Sequence, residues 1–509
     1  MSDSKFSYDE VPYSSFTFPQ TRPDRLATLG AFHGMNTAPP EKCRVLELGC
    51  GDGTNLISFA YILPNSEFVG IDLAQNHIDL ANRTSVELGL SNLSFHCEDV
   101  MDFTRERFGE FDYIIAHGLF SWVPQPVRDK VLQVYKECLT PQGVGYISYN
   151  AFPGCFVRQM IWGMMQYHTA LIASPADKVQ NGVNLLNFLV HATPKDSLYQ
   201  SMIKLELSEI GQRTPENIFH DDFATINQPY YFHEFVELLK KNDLQFLSEV
   251  DSFWTESEQL SPEILKKLDD LGDDIIRREQ YIDFIRCRPF RSTLICRGDI
   301  AIERMPEPDI LKDFYLAAQA EPKSTEPDLT TASSELFISP EGLEFEVEHA
   351  LTKSALTYLQ RSWSKSVRFD DLAARAAELS GDRSNEGMSK MTADLLGLFK
   401  RGFVYLHCFH PEFVSEVSEF PSASKFAQWQ VRNKAQDITT LSGMNLKPDS
   451  DLMRLLILLC DGTRGHNTIL KDVIARIENG RGERENKDEI SQAVEEKLAD
   501  IARLGLLSS

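Results

Sequence analysis

A chain of 509 residues is long enough for two to four domains with cores of their own. Its 75 acidic against 51 basic residues leave a formal charge of −24, which disfavours nucleic acid, because phosphate binding depends on Lys and Arg; a basic partner, such as a lysine-bearing protein, suits that field better. Nine cysteines without a C-x-x-C pair give no zinc or disulfide spacing, the polar start MSDSKFSYDE is unlike a signal peptide, and no run approaches a membrane span, so a cytoplasmic protein with no membrane insertion and no metal is expected.

Residues 1–42 hold an aromatic-rich segment (Tyr8, Tyr13, Phe16, Phe18) followed by a helix that Thr21 or Asp24 would cap and that runs to about Gly34. Such a segment reads as a lid over a ligand or as a strap packed on a sheet. Residues 43–48, CRVLEL, are short, apolar and β-branched at the centre, the pattern of a buried parallel strand. A turn with Gly49, Gly51 and Gly53 follows, and a helix opens at Asn55. Glycine is needed where the backbone turns sharply and a ligand must come close. A dinucleotide fingerprint would be G-x-G-x-x-G; here the pattern is Glu47-x-Gly49-Cys50-Gly51-x-Gly53, with an acid inside the strand end.

A second strand, 67–72, ends in Asp72 ahead of Leu73; a carboxylate there can accept both hydroxyls of a ribose. A third, 93–97, ends in Glu98-Asp99-Val100, where Asp99 suits an exocyclic adenine amine and Val100 offers its backbone N–H. Either acid alone is explained by capping a helix; two at strand tips in register with the glycine turn point to a nucleoside. The fourth strand, 111–116, runs into His117-Gly118. Helix-length segments between the strands imply a parallel sheet with the ligand across the strand ends.

The loop from His117 to Pro124 carries Trp122, a ring that can stack on a cation or fill a core beneath the loop. An amphipathic helix at 125–139 leads through Pro141-Gln142-Gly143 to a fifth strand, 144–150, tipped by Tyr149 and Asn150. Residues 155–220 read as helices, with Met160, Trp162, Met164 and Met165 as core or dimer surface. A helix ending near Asn242, a strand at 244–250, helices over 261–288 and a strand at 291–296 complete an antiparallel hairpin. Residues 155–230 and 251–288 are thus insertions into one domain spanning 43–303. Residues 304–334, rich in Pro, Glu, Ser and Thr, read as a linker. Beyond it, helices near 351–362, 368–379 and 390–401 and a strand at 403–407 suggest a winged helix, with a similar pattern at 451–509. Residues 335–509 hold 22 basic and 27 acidic residues with no basic face, so this region is expected to contact protein.

The stretches YDEVPYSSFTFPQTRPDRL, VLELGCGDGTNL, FVGIDL, FDYIIAHGLFSWVP, GVGYISYNAFPG, HDDFATINQPYYFHEF and QYIDFIRCRPFRSTLICR resemble bacterial class I methyltransferases that use S-adenosyl-L-methionine (SAM) and carry a methyltransferase regulatory domain. The resemblance covers roughly residues 8–300. It implies an α/β fold, a seven-stranded Rossmann-like sheet with helical insertions, beside a mainly helical, winged-helix-like C-terminal region. It implies SAM as cofactor, held by Glu47, Gly49, Cys50, Gly51, Gly53, Asn55, Asp72, Leu73, Glu98, Asp99, Val100 and His117. Arg22 and Arg25 are further candidates for the cofactor's carboxylate, although position 22 is histidine in the family's pattern. Members of the group include protein-lysine methyltransferases of outer-membrane proteins, found as dimers, which implies a homodimer and a lysine-bearing protein substrate.

Methyl transfer is an in-line displacement, so the protein mainly positions and desolvates. His117, Trp122, Tyr149 and Asn150 are expected around the acceptor, with Tyr13, Phe152 and Tyr230 near them. His117 would take the acceptor's proton, hold the cofactor's amino-acid tail, or serve structure alone. An Asp/Asn-Pro-Pro-Tyr signature is absent from the fourth-strand tip, HGLF, which argues against base or glutamine methylation. The rivals are a small-molecule methyltransferase with a closed apolar pocket and a non-catalytic SAM-binding regulator.

Overall fold

β1 (Arg44–Leu48) lies at the centre of the sheet, paired in parallel with β2 (Glu67–Asp72) on one side and β4 (Phe111–Ala116) on the other. Both faces of the sheet are covered there, which is why four of its five residues are buried. The computed structural model describes residues 11, 16–250, 260–270, 272, 274–481 and 487–508. With β3 (Leu93–Cys97), β5 (Leu139–Asn150), β6 (Leu244–Glu249) and β7 (Phe290–Arg297), the strand order is β3-β2-β1-β4-β5-β7-β6. β7 runs antiparallel between β5 and β6. The order reverses between β1 and β4, so a crevice opens beyond their carboxyl ends, where a ligand belongs in such a sheet.

β5 begins at Leu139 rather than at residue 144. Pro141-Gln142-Gly143 is extended, and the pairing shifts register between Phe111 and Tyr113. Thr140 Oγ1 donates to Asp112 Oδ1 at 3.2 Å across that irregularity. A bulge thus occupies a sequence that spells a turn.

Of the five helices between β5 and β6, four, Cys155–His168, Pro175–Ala192, Leu198–Ile210 and Pro215–Asp222, surround a small core of Ile161, Met165, Val179, Leu186, Ile203 and Ile218, and the fifth, Phe232–Lys241, leads into β6. Trp162 is buried and donates its indole N–H to Asp222 Oδ1 at 2.5 Å. The tryptophan and Met165 therefore face inward, and the exposed apolar surface is a different set: Tyr167, Leu171, Phe188, Leu198 and Leu205. Residues 251–259 of the second insertion lie outside the described residues; helices Pro262–Asp269 and Ile275–Arg286 follow them.

The stretch expected as a linker is not one throughout. Leu311, Phe314, Leu316, Ala317, Ala318 and Ala320 are buried, and Tyr315–Ala317 is the middle strand of a small sheet between Val367–Arg368 and Tyr405–His407. The Pro, Ser and Thr that suggested a linker crowd mainly into 322–334, hiding a short apolar run before them. Helices Ala350–Ser362, Phe369–Ser380 and Asn385–Lys400 complete this middle module. A last module holds helices Lys425–Arg432, Asp451–Leu459, His466–Arg481 and Lys487–Arg503, the first of which the sequence reading missed.

The N-terminal helix, Pro23–Phe32, is a strap built into the core. Neither Thr21 nor Asp24 caps it; Arg22 holds the N-cap position without a side-chain bond. Asp24 is buried and points instead at the middle module, accepting from His407 Nδ1 at 2.8 Å and from the N–H groups of Cys408 and Phe409 at 3.0 and 2.9 Å. Burial works against its charge, but His407, Arg22 and the Phe409 N–H outweigh that and hold the carboxyl below its usual value. One apolar cluster runs from Leu26, Phe32, Val45 and Leu56 into Leu316, Leu356, Leu406 and Phe426, so the middle module and the first helix of the last one share the large sheet's core. Tyr8 and Tyr13 lie outside the described residues.

Candidate functional site

The three glycines after β1 all have positive φ, at 73°, 54° and 74° for Gly49, Gly51 and Gly53, but they serve different ends. A Cβ on Gly53 would lie 2.4 Å from the Phe95 ring, so this glycine lets β3 pack against the turn. A Cβ on Gly51 would meet nothing within 4 Å. The space over Gly51 is where a ligand can approach the backbone. Asp72, at the tip of β2, accepts the Gly51 N–H through Oδ2 and the Ala74 N–H through Oδ1, both at 2.9 Å. Each oxygen keeps a lone pair, so the carboxylate is oriented yet still able to accept two hydroxyls.

Leu73 next to it is exposed and gives that rim an apolar face. Asp99 caps the short turn Val100–Asp102, accepting from the Met101 N–H at 3.0 Å. Glu98 turns to Arg107, 2.5 Å away. Cys50 is buried, and burial together with the Asp72 and Glu47 charges pushes its thiol well above the usual range.

Glu47 sits one step beneath the turn. It is buried, Oε1 accepts from Asn55 Nδ2 at 2.8 Å, and Oε2 has no partner. Burial, reinforced by Asp72 and Asp52 against the Asn55 bond, pushes its pKa up to about 8. The folded state therefore holds a proton that the unfolded chain releases at about 4.5. That contribution to stability is complete below pH 4.5 and lost as pH rises through 8. Glu47→Gln is expected to make the cofactor-free protein more stable than the parent at pH 8, by roughly 4 kcal/mol, with the two converging at pH 4. Urea unfolding at both pH values checks this; equal stability at pH 8 would refute it.

Asn55 joins this acid to the strap. Besides Glu47 it donates to Thr21 Oγ1 at 3.0 Å, and its Oδ1 accepts the Phe18 N–H at 2.8 Å. The Phe18 ring lies 3.8 Å from the His117 ring. His117 Nδ1 is 2.8 Å from the Tyr146 hydroxyl, which donates to Ser292 Oγ at 3.0 Å. Burial lowers the pKa of His117 to about 4, so it is neutral at pH 7 and a weak base. That suits positioning better than proton removal. Arg22 and Arg25 donate to backbone oxygens, Arg22 to Ser442 and Arg25 to Val250, the latter at 2.7 Å through NH2.

The strand-five tip separates the residues expected at the acceptor. Successive side chains on a strand take opposite faces, and Tyr149 takes the inner one. It is fully buried and stacks on Phe235 at 4.1 Å, which removes it from the acceptor side. Asn150 shares a face with Tyr146; its N–H donates to Ser121 Oγ and its Nδ2 to Asn227 Oδ1, both at 2.9 Å. Trp122 is half-buried with its ring 6.2 Å from Trp162, tying the loop to the helical insertion.

Two distant segments clamp this tip. Phe152 donates its N–H to Tyr230 O, and Ala151 donates its own to Pro289 O, both at 2.9 Å. Gly154 permits the second approach, since a Cβ there would lie 2.3 Å from Cys287 O. The result is an aromatic shelf: Phe152 on Phe156 at 4.1 Å, Phe152 near Tyr231 at 5.3 Å, and Tyr231 near Phe284 at 6.1 Å. Phe290 lies 6.3 Å from His117 at the mouth of the cleft. Phe156, Phe284 and Phe290 are 51, 47 and 39 % exposed, so the shelf is open. Sequence reading missed Phe156, Phe284, Phe290, Ser121 and Asn227, because only strand pairing brings them together.

A sheet of this order, with a glycine turn after β1 and acids at the next two strand tips, defines a class I SAM-dependent methyltransferase. Family profiles agree: a methyltransferase domain matches residues 40–204, a predicted methyltransferase regulatory domain matches 214–297, and a PKMT C-terminal winged helix domain matches 419–506. The uncharacterised protein RP789 of Rickettsia prowazekii (strain Madrid E) is 31% identical over 516 residues, covering 96% of this chain and 90% of that one. RP028 of the same organism is 35% identical over 245 residues, covering 48% of this chain and 98% of its own length.

Among solved structures, PKMT2 from Rickettsia typhi in complex with AdoHcy superposes with a TM-score of 0.87 at 28% identity, covering 97% of this chain and 100% of that one. The chain belongs to the same family as RP789, and it is a SAM-dependent methyltransferase with the regulatory domain and the PKMT winged helix.

The residues fit that cofactor: space stands open over Gly51, and Glu47 has an unpartnered carboxyl oxygen that a cationic group beside it would favour in the ionised form. When bound, SAM supplies an electrophilic methyl on a sulfonium. Among the described residues no cluster of His, Cys, Asp and Glu could hold a metal, and no helix is long and apolar enough to cross a membrane.

Proposed function

We propose that the protein is a protein-lysine N-methyltransferase acting in the cytoplasm. The observation that carries this reading is the likeness to PKMT2, whose abbreviation reads as protein lysine methyltransferase and which matches along both the catalytic sheet and the C-terminal modules. The open aromatic shelf supports it over the small-molecule alternative, because small-ligand sites bury most of their ligand, whereas Phe156, Phe284 and Phe290 stand half in solvent. In this reading Gly51, Asp72 and Asp99 hold the nucleoside, Asn150 and His117 frame the methyl, and the shelf receives the lysine stem. Aromatic faces tolerate the ammonium on entry, and desolvation there lowers its pKa. The inferred substrate is a lysine-bearing protein, an outer-membrane protein among the candidates. We place a homodimer contact on the exposed apolar side chains of the helical insertion, Tyr167, Leu171, Phe188, Leu198 and Leu205.

Incubation with labelled SAM and either bacterial protein or small-molecule extract tests the reading. Label is expected in protein, on lysine, with a rate that climbs with pH toward the lysine pKa of about 10.4. Phe290→Ala is expected to lower turnover while SAM affinity stays within a few-fold. Label confined to small molecules would overturn the assignment.

A further inference from the structure

Between its first two helices the winged helix forms a small hairpin, Ile438–Thr439 paired antiparallel with Asn445–Leu446, and this hairpin reaches back to the segment ahead of the N-terminal helix. Thr17 is buried against it. Its hydroxyl donates to Asn445 Oδ1 and lies 3.3 Å from Thr439 Oγ1, while Asn445 Nδ2 donates to Thr17 O at 2.9 Å. Five residues on, Arg22 donates to Ser442 O at the hairpin tip. Gly443, at φ 77°, lies so close that a Cβ there would sit 2.0 Å from the Arg22 guanidinium carbon. The hairpin thus grips the strap at two points.

Between those two points are Phe18 and Thr21, the residues that hold Asn55 and, through Phe18, cover His117. Thr21 Oγ1 also donates to Phe18 O at 2.9 Å, closing a short turn. Residues 16–18 have no regular secondary structure of their own. Their position is set by side-chain bonds, on one side to Asn55 and on the other to Asn445. A continuous hydrogen-bonded route therefore runs from the C-terminal module to the buried acid Glu47.

We infer that the hairpin at 438–446 completes the SAM site: Asn445 and Thr17 are positioning residues that hold Phe18 and Asn55 in the geometry the cofactor needs. The inference rests on the placement of SAM at the glycine turn. Binding then carries the cost of fixing the strap unless the hairpin has fixed it already, and preorganisation shows as affinity. By linkage, SAM must in turn strengthen the docking of the hairpin on the strap.

The test uses the full chain with SAM titrated by calorimetry and in steady-state kinetics. Thr17→Val and Asn445→Ala are expected to weaken SAM binding and raise its KM about tenfold, with kcat at saturating SAM within twofold of the parent. Thr17→Ser, which keeps the hydroxyl, should restore affinity. Trp429→Phe removes a bond from the same module to Glu87, away from the strap, and should leave affinity unchanged. SAM affinity within twofold of the parent in both variants, or an equal loss in Trp429→Phe, would overturn the inference. A fall in kcat matching the rise in KM would overturn it too. Asp72→Ala separates the two layers: normal affinity there removes the SAM placement itself, whereas lost affinity there with normal affinity in Thr17→Val removes only the role of the hairpin.

Discussion

Arg291→Leu is expected to unfold the β6–β7 hairpin and its flanking helix at urea concentrations the parent survives. The guanidinium is fully buried and spans three carboxylates: Glu249 Oε1 at 2.7 Å, Glu279 Oε2 at 3.0 Å, and Asp283 through Nε at 2.9 Å and NH2 at 2.7 Å. Its Cζ also lies 3.9 Å above the Phe232 ring. Leucine would leave those acids buried with Arg288 as their remaining cation in this described cluster. Breaking a buried network from one side costs about 3–5 kcal/mol.

The loss should be smaller at pH 5 than at pH 8. Burial already raises Glu279 to about 7 and pushes Asp283 upward against the pull of the arginines, so both accept protons more readily as pH falls. Arg291→Lys should recover only part of the stability, because one ammonium cannot reach three carboxylates in a planar fork. A urea midpoint for Arg291→Leu equal to that of the parent at pH 8 would show that the network does not hold the hairpin.

Asp72→Ala is expected to weaken SAM binding by about 2–4 kcal/mol, through loss of two charge-assisted bonds to the ribose. The same change frees the Gly51 and Ala74 N–H groups that the carboxylate now gathers. Asp72→Asn keeps one acceptor oxygen and should fall between the two. Calorimetry on the three proteins checks the order, and unchanged affinity in Asp72→Ala would remove the nucleoside site from this position.

The sheet was legible because each strand is a short apolar run closed by its own turn, and the cofactor side because its residues follow directly on strand ends. Glu47, Gly51 and Asp72 are readable by position alone. The proposed acceptor side is built otherwise. Residues 118–122, 150–156, 228–231 and 288–290 meet there, and pairing register decides which of two adjacent side chains faces in. Tyr149 and Asn150 are alike in sequence terms and opposite in the fold. Composition misled at two places for one reason: Pro141-Gln142-Gly143 and 304–334 carry turn-forming residues in or beside segments that pair with neighbouring strands or pack into the core. The strap's partners, Asp24 with His407 and Thr17 with Asn445, lie nearly the whole chain apart, where no local pattern could announce them.

That separation sets an order of events during synthesis. The ribosome releases the strap first and the hairpin that grips it some 420 residues later, about 20–80 s at 5–20 residues per second. For that interval the sheet can form, glycine turn included, while Asp24 waits for residues 407–409 and Thr17 for Asn445. A nascent chain stalled before residue 438 would carry every residue proposed to touch the cofactor and still lack the hairpin that grips the strap. With the hairpin inferred to complete the SAM site, tight holding of SAM is thereby deferred until the end of translation, and an interrupted chain is left with a site of lower affinity.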